Sequence, residues 1–160
     1  MEKMLRILEK NAFLTNAQLA AMLGVSEEEA SAARTSYERD GVICGYQALI
    51  NWNKLPTDYL EAFIEVQIIP KAELGFEEVA ELIADFEEVE SVYLISGGYD
   101  LMVTVAGRSF HEVAMFVARR LAPIDSVQST TTNFVLRRYK KDGVSLSDRT
   151  QDERSETPLC

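Results

Sequence analysis

The sequence predicts an α+β protein in two parts: an N-terminal helix-turn-helix head of winged-helix-like type, then a C-terminal ferredoxin-like βαββαβ sandwich. Three observations predict it. Short helical patterns fill residues 1–55, and two of them open on capping signals. Beyond residue 59, β-rich runs and helical spacing follow the order strand, helix, strand, strand, helix, strand. At 160 residues, 47% of them hydrophobic, the chain can bury one domain or two small ones and is too apolar to be disordered for most of its length.

The elements follow in order. Glu2 to Lys10 places Met1, Leu5 and Leu8, flanked by Met4 and Ile7, on one helical stripe. Thr15-Asn-Ala-Gln18 is a capping box. It opens a helix carrying Leu19, Ala20, Met22 and Leu23, which Gly24 stops. Ser26-Glu-Glu-Glu29 is a second capping box, opening a helix to about Arg39 that Gly41 ends; its three acids sit where the helix dipole favours them. Gly24-Val25-Ser26 leaves three residues between these helices, the helix-turn-helix spacing. The head is thus expected over 1–45, and an extended connector strand and linker over 46–58.

The second part, 59–141, begins with a partly alternating strand, Leu60 to Ile69, stopped by Pro70. Phe76, Val79, Ala80, Ile83 and Phe86 then fall at helical spacing, with the acids from Glu77 to Glu90 on the solvated face. Val89 to Ser96 and Leu101 to Ala106 form a hairpin through Gly97-Gly98-Tyr99-Asp100, where glycine would meet positive φ. Ser109-Phe-His-Glu112 opens a helix with Val113, Phe116, Val117 and Leu121 inward, ended before Pro123. Val127 to Tyr139 is the last strand, and residues 142–160 read as a flexible polar tail.

Composition excludes several classes. No run of 18 apolar residues exists, so no membrane partner is expected. Met1-Glu2-Lys3-Met4 opens no apolar leader. Cys44 and Cys160 form no CxxC, and His111 stands alone on a helix surface, so no zinc site is expected and a reducing cytoplasm is the default compartment. No GxGxxG, P-loop or GxSxG is present, and no cofactor is expected. The net charge of −10 taken alone argues against nucleic acid. Its distribution weakens that argument. Residues 1–55 hold six cations against seven acids, and residues 56–160 ten against nineteen.

Beyond the order of elements, the wording of several segments carries a resemblance. Ile7-Leu8-Glu9 with Asn11-Ala12, Gln18-Leu19-Ala20 with Leu23-Gly24-Val25-Ser26, and Arg39-Asp40-Gly41-Val42-Ile43 leading to Gly45-Tyr46 are the first three. Val92 to Asp100 and Thr130 to Phe134 complete the set. Over about residues 1–141 the chain resembles the Lrp/AsnC (leucine-responsive/asparagine regulator) family of prokaryotic transcription regulators. The resemblance implies a DNA-reading head, a connector strand and an effector-sensing domain that pairs into dimers and often octamers.

It also implies sites. The third helix would be the recognition helix, with Ser31, Arg34, Thr35, Ser36 and Arg39 as donors to double-stranded DNA, although Glu27, Glu28 and Glu29 oppose phosphate and Arg34 falls where an aliphatic core residue is usual. Lys3 and Arg6, with Lys10, make one face of the first helix basic and able to hold phosphate. The loop Ser96, Gly97, Gly98, Tyr99, Asp100 would form the effector pocket with Thr131, Thr132 and Asn133. Its amides would suit an α-carboxylate and Asp100 an α-ammonium, so the effector is expected to be a small molecule such as an amino acid.

The leading expectation is an effector-responsive, DNA-binding transcription regulator rather than an enzyme. A second is a metabolite-binding or assembly module whose head no longer binds DNA well, motivated by the acidic third helix. A third, a sirohaem-decarboxylase-like enzyme on the same plan, would require histidines around a large pocket, and the chain has one.

Overall fold

In the computed structural model, residues 2–69 and 75–147 are described. Met1, Pro70, Cys160 and the rest of 148–160, all invoked above, lie outside them. The chain forms two compact units that divide between Ile50 and Asn51.

The first unit holds α1 (Glu2–Lys10), α2 (Asn16–Leu23) and α3 (Glu27–Arg39). Both capping boxes form, each with its reciprocal pair of bonds: Thr15 with Gln18, and Ser26 with Glu29. Gly24 closes α2 in the left-handed region at φ 72°, a conformation that glycine adopts without strain. The core is Met4, Leu8, Leu19, Ala20 and Ala30, with Ile7, Leu14, Ala33, Tyr37 and Ile43 packed around it. The buried stripe of α1 therefore runs through Met4 and Leu8 rather than through Leu5, which lies half-exposed. Among the described residues no wing hairpin follows α3. The connector strand expected over 46–58 is not a strand: residues 44–50 are irregular, and Trp52–Lys54 form a 3₁₀ turn. A ladder needs a neighbouring strand, and the regular elements of this unit are helices.

The second unit runs β1 (Leu60–Ile68), α4 (Phe76–Ala84), β2 (Val89–Leu94), β3 (Leu101–Gly107), α5 (Phe110–Phe116) and β4 (Val127–Phe134). The sheet order is β2-β3-β1-β4, antiparallel throughout, which is the βαββαβ sandwich. Ala62, Ile64, Val66, Val103 and Val105 point to the helix side and bury against Val79, Ile83, Val113, Phe116 and Leu121. Because side chains alternate along a strand, Phe63, Glu65, Gln67, Met102, Thr104 and Tyr93 fall on the other, open face.

Three details depart from the sequence reading, each for a physical reason. Val117–Leu121 is a π-helical turn, with the Ala122 amide donating to the Val117 carbonyl at 2.8 Å. An α-helix continued from Val113 would aim Arg120 at the sheet; the wider turn brings Leu121 there instead. Arg120 is then free to stack on Phe86 and pair with Glu88. β4 ends at Phe134 rather than Tyr139, because its partner β1 begins at Leu60 and the pairing ends at Ala62 opposite Phe134. Residues 142–147 are not a flexible tail. Lys140–Lys141 (β5) pairs with Val144–Ser145 (β6) through a turn with Asp142 at φ 47° and Gly143 at φ 82°. Leu146 beyond it is buried, while Val144 stays exposed.

Candidate functional site

The Ser26–Glu29 capping box sets where α3 begins, and the buried Ala30, with Ala33 and Tyr37 packing on the core, fixes which way it turns. Glu28, Ala32, Thr35 and Arg39 then lie on its exposed face, four and three residues apart, and Ser31 and Ser36 flank that face half-buried. The exposed place of Ala32 was not singled out from the sequence, though the same spacing that buries Ala30 and Ala33 implies it.

The two arginines of α3 part company. Arg34 is turned inward, its side chain 20% exposed. Its guanidinium donates to the Leu14 carbonyl at 3.1 Å and the Tyr46 hydroxyl at 2.9 Å, pairs with Glu38 at 3.3 Å and lies over the Tyr46 ring. Arg34 therefore ties α3 to the loop before α2 and to residues after α3. The expectation that it reads bases is corrected, because the side chain is turned inward with Nε and Nη1 donating within the unit. Burial and the hydrogen bond to Glu38 hold the Tyr46 phenol above its ordinary pKa. Arg39 is exposed, but its guanidinium donates to Asp40 at 2.9 Å and to Ser36 at 3.2 Å. Arg39 and Ser36 together hold the Asp40 carboxyl below its ordinary pKa. On α1, Lys3 reaches the Met22 carbonyl at the end of α2, and Arg6 pairs with Glu2 and Glu9.

In the second unit the loop between β2 and β3 is longer than a tight hairpin. It spans 95–100 and is closed by the Ile95 amide donating to the Asp100 carbonyl at 2.8 Å. Spread over that length, the reversal asks no residue to turn left-handed. Positive φ occurs at Gly24, Gly41, Asp142 and Gly143, and not at Gly97 or Gly98 as expected.

Asp100 has a role that sequence reading missed. Its carboxylate accepts the Ile68 amide at 2.7 Å, and its own amide donates to the Val66 carbonyl at 3.0 Å. It thereby holds β1 beside the register shift between Gln67 and Ile68. One carboxylate oxygen is thus committed, and the other can receive a cation.

Gln67 joins the loop to β4: its Nε2 donates to the Gly98 carbonyl at 3.1 Å, and its Oε1 accepts the Ser129 hydroxyl at 2.7 Å. Asn133 donates to Glu65 at 3.0 Å, and Thr131 stands opposite Glu65 in the ladder. Thr131 and Asn133 therefore share the open face with Glu65, Gln67 and Ser129. Thr132 alternates to the helix side opposite Ile64 and is not brought to them. Ser96 is exposed in the loop, and Tyr99 half-buried beside Asp100. The result is an acceptor-rich polar patch suited to an ammonium and to hydroxyl or amide donors. Glu65, Gln67 and Ser129 follow from period-two alternation only once the register is known.

Two cavities lie elsewhere. A groove of about 710 Å³ runs along α1 beside Val42, Ile43 and Tyr46. A cavity of about 200 Å³ lies where the chain enters the second unit, between Trp52, Tyr59, Glu61, Arg138 and Leu146. Beside it Glu61, buried at the start of β1, pairs with Arg138, which also donates to the Tyr59 hydroxyl. Burial would lower the Arg138 pKa, but the bonds to Glu61 and Tyr59 outweigh it and raise it. His111 is exposed on α5. No cluster of metal-ligating side chains occurs among the described residues, and no helix among them is long and apolar enough to cross a membrane.

Comparison with known proteins places this geometry. Residues 61–145 match the Lrp/AsnC ligand binding domain. The chain is 42% identical over 153 residues to the HTH-type transcriptional regulator YugG of Bacillus subtilis, covering 95% of this chain and 92% of that one. It is 30% identical to the regulatory protein AsnC of Haemophilus influenzae, over 82% of this chain and 85% of that one. Among solved structures it is similar to the transcriptional regulator NMB0573 of Neisseria meningitidis in complex with L-Met, with TM-score 0.69 and 26% identity, covering 87% and 89% of the two chains. It is also similar to AsnC of E. coli, with TM-score 0.65 and 25% identity, covering 86% and 91%.

Proposed function

The chain belongs to the Lrp/AsnC family of transcriptional regulators, and from that premise we propose how its two units divide the work of an effector-responsive regulator. The first unit reads double-stranded DNA through the exposed face of α3, with Thr35 and Arg39 at base edges, Ser31 and Ser36 beside them, and Lys3 and Arg6 on phosphate. The observation that carries this is the placement of α3: its buried side fixes it on α2, and Thr35 and Arg39 face solvent. The second unit takes an amino acid at the 96–100 loop and beside Thr131 and Asn133 on the open face. L-methionine is the first to try, because the meningococcal relative is seen with it. Phe63 and Tyr93, exposed on the open face, support self-association there into dimers and larger assemblies. On this reading the protein is a binder rather than an enzyme, and it works in the cytoplasm beside the DNA.

Gel mobility shift with the gene's own upstream DNA, run with and without L-methionine and other amino acids, tests the reading. A sequence-dependent shift that an amino acid alters is expected. No shift at micromolar protein overturns the DNA assignment. One observation favours a second reading, a sensor whose head binds DNA weakly: Arg34 is committed inward and Arg39 is held by Asp40. Calorimetric amino-acid binding without any shift would select it.

A further inference from the structure

We infer that the arm after β4, residues 136–145, is a second DNA contact: a sequence-independent clamp on the phosphate backbone. This rests on the reading of the chain as a DNA-binding regulator.

The arm carries the densest positive charge in the sequence, Arg137-Arg138-Tyr139-Lys140-Lys141, with Asp142 as its one acid. It is also a built feature. Arg138 turns inward to Glu61 and Tyr59, its carbonyl accepts from Asn53 at 3.2 Å, and Leu146 buries at the far end. Between these anchors the β5–β6 hairpin faces outward. Arg137 lies over the Tyr139 ring, 5.3 Å from its centroid, and Tyr139 and Lys140 are exposed. Among the described residues no carboxylate pairs with Arg137, Lys140 or Lys141.

The head offers the contrary. Arg34 is turned inward, Arg39 meets Asp40, Arg6 meets two glutamates, and α3 opens with three more. A chain of net charge −10 approaching a polyanion needs its cations concentrated somewhere. Duplex DNA carries one charge per about 1.7 Å of its axis. Cations set close together on an anchored arm, one guanidinium lying over an aromatic ring, fit a line of phosphates better than a single ion pair. The acidic α4 face of a second copy is the competing occupant.

The test uses the full chain with Arg137→Gln and Lys140→Gln together, both exposed, with thermal melting to verify that the fold is retained. Fluorescence anisotropy follows binding to the upstream DNA and to an unrelated duplex of equal length, from about 50 to 200 mM salt. Affinity should fall by the same factor on both duplexes. The slope of log affinity against log salt should become shallower by about 1.8, two phosphate contacts' worth. A fall confined to the upstream duplex, or an unchanged slope, overturns the clamp. An unchanged slope with a smaller assembly by light scattering would give the arm to a second copy. If the unaltered protein binds neither duplex, the DNA reading itself fails and the clamp with it. If it binds and the variant matches it, only the clamp fails.

Discussion

Arg34 and Arg39 stand five residues apart on one helix and answer to different forces. Arg34 donates to acceptors left over by folding: the Leu14 carbonyl, the Tyr46 hydroxyl and the Glu38 carboxylate. Arg34→Ala should therefore cost about 1–3 kcal/mol of stability in urea denaturation, through the groups it leaves unpaired, and leave base preference intact. Arg39→Ala should leave stability nearly unchanged and weaken DNA binding. Asp40 restrains Arg39, and its lowered pKa sets the sign of the pH dependence. The Arg39–Asp40 contact is fully formed above the ordinary carboxylate range and is lost only as pH falls through the depressed pKa. An NMR titration of Asp40 should show that depression, and Arg39→Ala should remove most of it. Asp100 serves two ends. Asp100→Ala should destabilise the second unit by about 1–3 kcal/mol, because the Ile68 amide loses its acceptor. A residue serving the effector alone would leave the unfolding curve where it was.

At the scale of elements, what could be read in advance was what neighbouring residues decide among themselves. The capping boxes at Thr15 and Ser26 are settled by side chains three residues apart, and both form. Ser26→Ala should cost about 1 kcal/mol and loosen the start of α3, seen as faster amide exchange there. The π turn of α5 could not be read, because it answers to where the sheet needs Leu121. The end of β4 could not be read either, since it depends on where β1 begins. Asp100 looked like a free carboxylate because its partner, the Ile68 amide, is 32 residues away in sequence. Arg34 gave a fair warning: the resemblance puts an apolar residue at its place, and its side chain is turned inward. The ordered hairpin at 140–145 had a single signal, the lone Leu146 in polar surroundings.

At the scale of the whole molecule, the order helix-turn-helix then βαββαβ was legible, and with it the family. The proposed effector face was legible only in part, because the sequence names the loop but not the strand register that sets Gln67, Ser129 and Glu65 beside it. The charge of −10 looked at first like evidence against DNA. The fold resolves it into regions: an acidic helix face on α4, a head near neutrality, and one basic arm. The ion pair of Glu61 with Arg138 fastens that arm to the sheet, its side chains 7% and 13% exposed. Removing one partner strands a buried charge, so Arg138→Ala should lower the unfolding free energy of the chain by about 3–5 kcal/mol in denaturant titration.

The Asn51 side chain donates to the Leu146 carbonyl at 3.0 Å, 95 residues further on. The first residue of the second unit is thus tied to the segment just beyond β6. A segment whose two ends touch can be spliced into a surface loop of an unrelated host with little strain on either partner. Residues 51–147, most of which match a ligand binding domain, can be tried as such an insert, and a bright reporter split around them would turn binding of the proposed effector into light.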